Sequence, residues 1–429
     1  MSTAQLSITF FLQMFFILFT CRTVGWLGRK FLKQPQVVGE MIAGVVLGPS
    51  LFGYFLPELQ AQLFPPENKG VLYVGAQLGV GLYMFLVGLG FNTSHFRQNA
   101  PSAMAVSISG MTVPFLVAIA ITPWLMTIPG LFSESATRFN ATLFMGAAIA
   151  ITAFPMLARI IHERGLSHTQ LGTLSLSAGA IDDAAAWCVL AVVLASFGAG
   201  SGMVITAIGG GILFATFMIL FGSRLLAPLE KLAAREEAEG KPLSPTLLSI
   251  VLMLFMLSAW IADFIGLHAV FGGFLLGAVM PRGVLSREVK AKLEPFAVVL
   301  LLPMFFTYSG LNTQLTMVNN IELLAIALVI LAGSILAKFG ACWAAARLCG
   351  EDNRTALGIG ALMNARGLME LIIINIGLQA GVIGPALFSM LVLMAILTTL
   401  MASPLFELVY GRKARASGEL DAVPEHSGG

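Results

Sequence analysis

Thirteen largely apolar runs of about 20 residues, nearly free of charge, partition this chain, and nothing else in the sequence constrains the fold as strongly. They lie at 3–21, 36–55, 70–91, 102–126, 139–158, 170–197, 202–222, 245–262, 264–280, 295–310, 321–346, 355–377 and 383–406. Lipid offers the backbone no hydrogen-bond partner, so a segment crossing it must satisfy its own amides and carbonyls, as a helix does. Only 11% of the 429 residues are charged and 57% are hydrophobic, against roughly a quarter charged in a soluble domain. An all-α membrane protein of about 13 spans is the predicted class. The net charge of +2 excludes nucleic-acid binding driven by phosphate neutralisation. Cys21, Cys188, Cys342 and Cys349 form no CxxC pair, which argues against a disulfide framework or zinc site and for packing roles.

Charge distribution sets the topology. No Lys or Arg precedes the first run, whereas Arg22, Arg29, Lys30 and Lys33 follow it, so it is read as a retained helix with its N-terminus outside, not a secretory signal. With thirteen spans, 20 of the 24 Lys and Arg fall on the side of Arg22, and only Lys69 and Arg138 on the other. That is the positive-inside pattern, and it places the C-terminus in the cytoplasm of a multi-pass protein expected in the cell (inner) membrane. The longest polar stretches are Ser223 to Ser244, with the amphiphilic run Glu230 to Glu239, and the tail from Glu407 to Gly429. Both are shorter than the roughly 40 residues a free-standing domain needs, so function is expected within the membrane.

The chain also repeats itself. Tyr83-Met84-Phe85 with Gly90-Phe91-Asn92-Thr93 matches Pro303-Met304-Phe305 with Gly310-Leu311-Asn312-Thr313 at an offset of 220. Ala43-Gly44 with Gly48 resembles Gly272-Gly273 with Gly277, and Gly146 through Ile161 runs parallel to Gly358 through Ile373. The predicted division is a first six-helix repeat at 1–197, a linker helix and cytoplasmic loop at 198–244, a second repeat at 245–406 and a tail at 407–429. The first repeat starts outside and the second inside, so they are inverted, an arrangement typical of secondary transporters with a site between broken helices near the midplane. Thr152-Ala153-Phe154-Pro155 and Asn364-Ala365-Arg366-Gly367 are the candidate breaks, since proline removes a donor and glycine loosens a helix. A simple kink at Pro155 is the plainer alternative, and the paired position in the twelfth span argues against it.

Six ionisable residues stand out within spans: Glu40, Asp182, Asp183, Lys338, Arg366 and Glu370. Charge is costly there unless paired, so each is a functional candidate. Asp182 and Asp183 lie halfway along the sixth span and point about 100° apart, so one carboxylate can face a partner helix while the other faces a cavity. Lys338 precedes Arg347 by nine residues, about 13 Å deeper along the helix, too deep to snorkel easily, so it needs a carboxylate partner. Arg366 and Glu370, at i and i+4, can form an ion pair that stabilises a broken helix or can contact substrate directly. Glu40, near the cytoplasmic end of a glycine-rich span, fits a hydrogen-bonded structural role.

Taken together, Gln34-Pro35-Gln36-Val37-Val38-Gly39-Glu40 through Gly48-Pro49-Ser50, the Asp182-Asp183 pair, Lys338, and Asn364 through Leu371 resemble the monovalent cation/proton antiporter superfamily. The likeness is closest to the branch holding Kef-type potassium systems, Nap-type sodium/proton antiporters and plant cation/proton exchangers, and it covers residues 1–406. The resemblance implies an Nha-like fold and a homodimer, with a dimerisation domain of spans one to three and eight to ten. Spans four to six and eleven to thirteen would form the moving core. It further implies Asp183 as main carrier of cation (Na+ or K+) and proton, Asp182 paired with Lys338, and Thr152 lining the site at the first break. The sequence departs from Kef systems in carrying no cytoplasmic nucleotide-binding domain, so ligand gating is not expected, and no cofactor is called for.

Weaker signals point elsewhere and fail on spacing. His162 and His168 are six apart, whereas a metalloprotease helix needs i, i+4, so that segment reads as a solvated loop. An intramembrane aspartyl protease needs its acids on two helices, and Asp182 and Asp183 are adjacent. His268 reads as a packing residue, and Gly209-Gly210-Gly211 lacks the strand and basic residue of a phosphate loop. A cation channel on the same fold, without strict proton coupling, is the competing transport class.

Overall fold

The computed structural model describes residues 3–32, 34, 36–90, 93–166, 169–194, 201–267, 269–312 and 320–416. Their regular structure is helical apart from one isolated bridge between Phe132 and Ile383. In chain order the helices are α1 (Thr3–Leu32), α2 (Gln36–Leu47), α3 (Phe52–Phe55), α4 (Pro57–Leu63), α5 (Pro66–Gly90), α6 (Thr93–Leu125), α7 (Arg138–Ala150), α8 (Phe154–Glu163), α9 (Gln170–Leu194) and α10 (Ser201–Phe217). There follow α11 (Ser223–Ala238), α12 (Pro245–Phe264), α13 (Ala269–Val279), α14 (Val284–Phe296), α15 (Leu302–Leu311), α16 (Ile321–Leu348), α17 (Asn353–Met363), α18 (Leu368–Gln379), α19 (Pro385–Phe406) and α20 (Arg412–Ala416). Three π-helical turns, Met218–Gly222, Ala297–Leu301 and Glu407–Gly411, carry α10 into α11, α14 into α15 and α19 into α20.

Among the described residues, eight helical stretches are long and apolar enough to cross a membrane. Other predicted runs form shorter helices: 264–280 yields the 11-residue α13, and 139–158 and 355–377 each yield two half-helices. The boundary predicted at Ser223 does not end a helix, because the Leu, Ala, Glu, Lys and Arg that follow are strong helix formers and continue the turn to Ala238. Buried Cys21 and Cys342 are packing residues, as read from the sequence, but Cys349 at the C-cap of α16 is exposed. His168, His268, Asn92 and Thr313 lie outside the described residues, as do the side chains of Pro155, His162 and Cys188.

The chain forms two compact units, each drawing on both halves of the sequence. One holds α3 to α5 and α10 to α15, with the start of α1 and the end of α2. In it, close packing is set by glycine: a Cβ at Gly44 would overlap the Phe306 carbonyl, and a Cβ at Gly277 would overlap the Phe85 carbonyl. So α2 lies on α15, and α13 on α5, with backbone against backbone. Among its described residues the buried polar groups are neutral, for example Gln13, which donates to the Leu63 carbonyl at 2.7 Å, and Ser258, which donates to that of Gly272 at 2.7 Å. The other unit holds α6 to α9 and α16 to α20, with Val24–Ile42. In it Arg164, just after α8, pairs with Glu407 at 2.8 Å, and Glu407 also pairs with Arg415 of α20.

Candidate functional site

The charged residues buried among those described are Glu40, Asp182, Asp183, Lys338, Arg366 and Glu370. These are the six picked out in the sequence, and all belong to the unit containing α6 to α9 and α16 to α20. A charge withdrawn from water is stable only when paired and hydrogen-bonded, and their partners define the site.

The first break follows Ala150. Ile151 is extended (φ −74°, ψ 134°) and the chain becomes helical again at Phe154. Pro155 falls in the first turn of α8, where a missing amide hydrogen costs nothing. The end of α7 leaves carbonyls without intrahelical partners at the negative end of the helix dipole. Two buried cations occupy that end. Arg366 donates through Nη1 to Ala148 O at 3.1 Å and through Nη2 to Ile149 O at 2.6 Å, and Lys338 Nζ donates to Ala150 O at 2.6 Å.

The second break runs from Asn364 to Gly367, between α17 and α18. Here the chain caps itself: Asn364 Nδ2 donates to Gly360 O at 3.1 Å, and the Asn364 and Ala365 amides donate to Ala361 O and Leu362 O at 3.4 and 3.0 Å. Thr152 Oγ1, from the first break, lies 3.0 Å from Met363 O, and the Ala153 amide donates to Ala365 O at 3.0 Å. The two breaks are therefore stitched together. Thr399 of α19 holds the second one, accepting from the Arg366 amide at 3.0 Å and donating to the Arg366 carbonyl at 2.7 Å. Glu370 is in the first turn of α18, where the helix dipole favours a carboxylate, with Oε1 3.6 Å from Arg366 Nη1. Arg366 also donates to Ser334 Oγ at 3.2 Å.

The acid pair lies on α9. Asp182 receives three donors from three other elements: Ser107 Oγ of α6 on Oδ1 at 2.5 Å, and on Oδ2 both Thr152 Oγ1 at 2.9 Å and Lys338 Nζ of α16 at 2.7 Å. Thr152 has one hydroxyl hydrogen and two acceptors in reach, Asp182 and the Met363 carbonyl, so it serves one at a time. Asp183, the next residue, is 2% exposed. Glu40 stands in the first turns of α2, where it accepts from Gln36 Nε2 at 3.3 Å. The structure thus joins Asp182, Thr152, Lys338, Arg366 and Glu370 through a chain of contacts at the crossed breaks. Asn364 closes α17.

Sequence reasoning missed Ser107, Ser334 and Thr399. Each is a hydroxyl in an apolar helix, where a serine or threonine commonly bonds to its own backbone. Hydroxyls facing charges are thus not marked in the sequence.

Comparison with known proteins identifies the family. Residues 15–409 match the family described as sodium/hydrogen exchanger, transmembrane. The Na(+)/H(+) antiporter NhaS4 of Synechocystis sp. is 39% identical over 397 residues, covering 91% of this chain and 94% of that protein. Cation/H(+) antiporter 17 of Arabidopsis thaliana is 33% identical over 93% of this chain and 48% of that one, and K(+)/H(+) antiporter 1 of Saccharomyces cerevisiae is 30% identical over 94% and 46%. The chain thus spans nearly all of the Synechocystis relative and about half the length of the other two. Among solved structures, the sodium proton antiporter MjNhaP1 from Methanocaldococcus jannaschii shares the fold with a TM-score of 0.65 at 16% identity, over 98% of this chain and 100% of that one. This chain is a multi-pass membrane protein belonging to the sodium/hydrogen exchanger family.

Proposed function

We propose that the protein exchanges a monovalent cation, Na+ or K+, for protons by alternating access. The observation that carries this reading is the buried acid pair on α9. Asp182 is held by the Lys338 ammonium and lies within reach of the Ser107 and Thr152 hydroxyls, and Asp183, the adjacent buried acid, is assigned as the main carrier of cation and proton. Hard oxygens suit such an ion, and Thr152 supplies a further one beside the pair. The relatives named Na(+)/H(+) and K(+)/H(+) antiporters support the same assignment.

Cation and protons compete for the acids. Two protons exchange for one cation when cation binding frees Lys338 from Asp182 and the lysine gives up its proton, so the cycle moves charge. The working unit is a homodimer in the cell membrane with its N-terminus outside. The repeats at 1–197 and 245–406 are its two inverted halves, a division supported by the packing of the matched segments, α2 on α15 and α13 on α5. The test uses proteoliposomes with a trapped pH dye, challenged in turn with sodium, potassium and lithium. Saturable, cation-driven pH changes that vanish in Asp183→Asn, with apparent cation affinity improving as pH rises, are expected. Wild-type rates in a folded Asp183→Asn protein would overturn the assignment, and affinity that stays flat with pH would overturn competition.

A further inference from the structure

We propose that Ser107 is a positioning residue that sets cation selectivity, by holding one oxygen of Asp182 away from the ion carried on Asp183. The inference rests on the assignment of Asp183 as carrier.

Ser107 is 1% exposed and Asp182 fully buried, and the hydroxyl reaches Oδ1 at 2.5 Å. The division of donors is uneven: Thr152 and Lys338 both reach Oδ2, and among the described residues Ser107 alone donates to Oδ1. An ionised carboxylate has about four acceptor sites on its two oxygens, so Oδ1 is the oxygen with capacity to spare, and Ser107 fixes where it points.

Other parts of the same stretch of α6 lie beside the lysine and its neighbour Cys342. The carbonyl of Val106 lies 3.8 Å from Cys342 Sγ, which follows Lys338 by one turn of α16. At Gly110, one turn after Ser107, a Cβ would stand 2.7 Å from that sulfur and 3.4 Å from Lys338 Nζ. Thus one uncharged face of α6 holds the acid through a hydroxyl and lies against the lysine through a residue without a side chain. Both members of the ion pair therefore lie beside one short stretch of α6, Val106 to Gly110.

Releasing Oδ1 would let the Asp182 carboxylate rotate and share the ion held by Asp183. Two anionic oxygens present a stronger field than one, and a stronger field favours the smaller cation. The wild-type clamp keeps Oδ1 of Asp182 off the ion, limits the second acid to the oxygen that Lys338 gives up, and so keeps larger ions acceptable.

The experiment measures apparent KM for lithium, sodium and potassium in proteoliposomes containing the wild type, Ser107→Ala, Ser107→Cys and Ser107→Thr, with Asp183→Asn in parallel. The expected result is a shift of about tenfold, the scale of one hydrogen bond to a charged group, in the ratio of KM for the largest accepted ion to that for the smallest. It should appear in Ser107→Ala, with a smaller shift in Ser107→Cys, while Ser107→Thr, which restores the hydroxyl, keeps the wild-type ratio. A purely structural role would scale all rates with the amount of folded protein and leave the ratio unchanged. A ratio within twofold of wild type in folded Ser107→Ala overturns the proposal. If that variant does not fold, a wild-type ratio in Ser107→Cys overturns it. Exchange surviving in Asp183→Asn would instead refute the carrier assignment, whatever Ser107 does.

Discussion

At the end of α7, three of the last four carbonyls accept from cations brought in from other helices, Arg366 and Lys338. At the end of α17 the donors are neutral: Asn364 and Ala365 immediately downstream meet three of the last four carbonyls, and the fourth, that of Met363, shares the Thr152 hydroxyl with Asp182. The two breaks pose one problem, a helix end buried without water, and answer it with different chemistry. A neutral cap is local and stays with its own break. A charged cap couples the break to whatever anion balances it, here Glu370 for Arg366 and Asp182 for Lys338. The two cationic caps also differ. Arg366 gives hydrogen bonds to two carbonyls and a serine, and Glu370 stands 3.6 Å off, so the arginine serves the helix end first. Lys338 divides itself between one carbonyl and one carboxylate. Only the second arrangement can be undone at small structural cost, as an exchange cycle requires.

Arg366→Ala is the strongest test of that difference. It removes the fork from two carbonyls and the contact to Ser334 and deprives Glu370 of its counter-charge, for which about 3–5 kcal/mol of stability is the expected loss, read as a lower thermal midpoint in detergent. Arg366→Lys should recover only part of it, since a point charge cannot bridge Ala148, Ile149 and Ser334 together. A melt unchanged in Arg366→Ala would mean that α7 does not need its cationic cap.

Lys338→Met should cost less, about 2–3 kcal/mol, because Asp182 keeps the Ser107 and Thr152 hydroxyls and can take up a proton. Its larger signature is functional. Residual exchange should no longer respond to membrane potential set with valinomycin, and current on a solid-supported membrane should disappear. If Lys338→Met and Arg366→Ala lost equal stability, the two cations would be equivalent caps and the proposed division of labour would be wrong.

Thr152→Val probes the stitch between the breaks, where one hydroxyl serves Asp182 and Met363. Losing it leaves one acceptor short, an expected cost of about 1–2 kcal/mol, together with weaker apparent cation affinity, and Thr152→Ser should restore both. An affinity change without any stability change would place Thr152 at the ion alone and not at the end of α17.

The sequence made the charges legible and left their hydroxyl partners obscure, for a physical reason. A charge within an apolar run is too costly to be accidental, so the six charged residues buried among those described stand out in the sequence itself, and the need of Lys338 for a carboxylate follows from depth alone. Hydroxyls carry no such cost. Thr398 and Thr399 are neighbours in one apolar helix, yet Thr398 returns its hydrogen bonds to Met394 and Ala395, while Thr399 also holds both backbone groups of Arg366. Nothing in their local sequence separates them. The breaks were legible from Pro155 and Gly367, but the stitch from Thr152 to Met363 joins residues 211 apart. The end of α11 was missed because hydropathy marks where lipid stops, whereas helix propensity decides where the helix stops.

The smallest effect is expected where the half-helices begin, and there too the two differ in charge. Thr137 caps α7 through a neutral hydroxyl that accepts from the Asn140 amide at 3.2 Å. Asp352 caps α17 through a carboxylate that accepts from the Arg354 and Thr355 amides at 2.9 and 3.2 Å. The Thr355 hydroxyl first, then the two amides and the Arg354 charge, hold the Asp352 carboxyl below its ordinary value against a burial effect of opposite sign. Alanine at either cap should cost about 1 kcal/mol at neutral pH. The pH dependence then separates them. A group whose pKa is depressed by folding contributes fully above its unfolded value, about 3.9 for aspartate, and loses that contribution as pH falls through the folded value. The stability gap between wild type and Asp352→Ala should therefore narrow as the medium is acidified below that point, while the gap for Thr137→Ala stays constant. Asp352→Asn, which keeps an acceptor and loses the charge, should sit between wild type and alanine at pH 7 and converge with wild type in acid. Parallel gaps at both caps across that range would show that the charge on Asp352 contributes nothing beyond its geometry, and that the two half-helices start alike although they end differently.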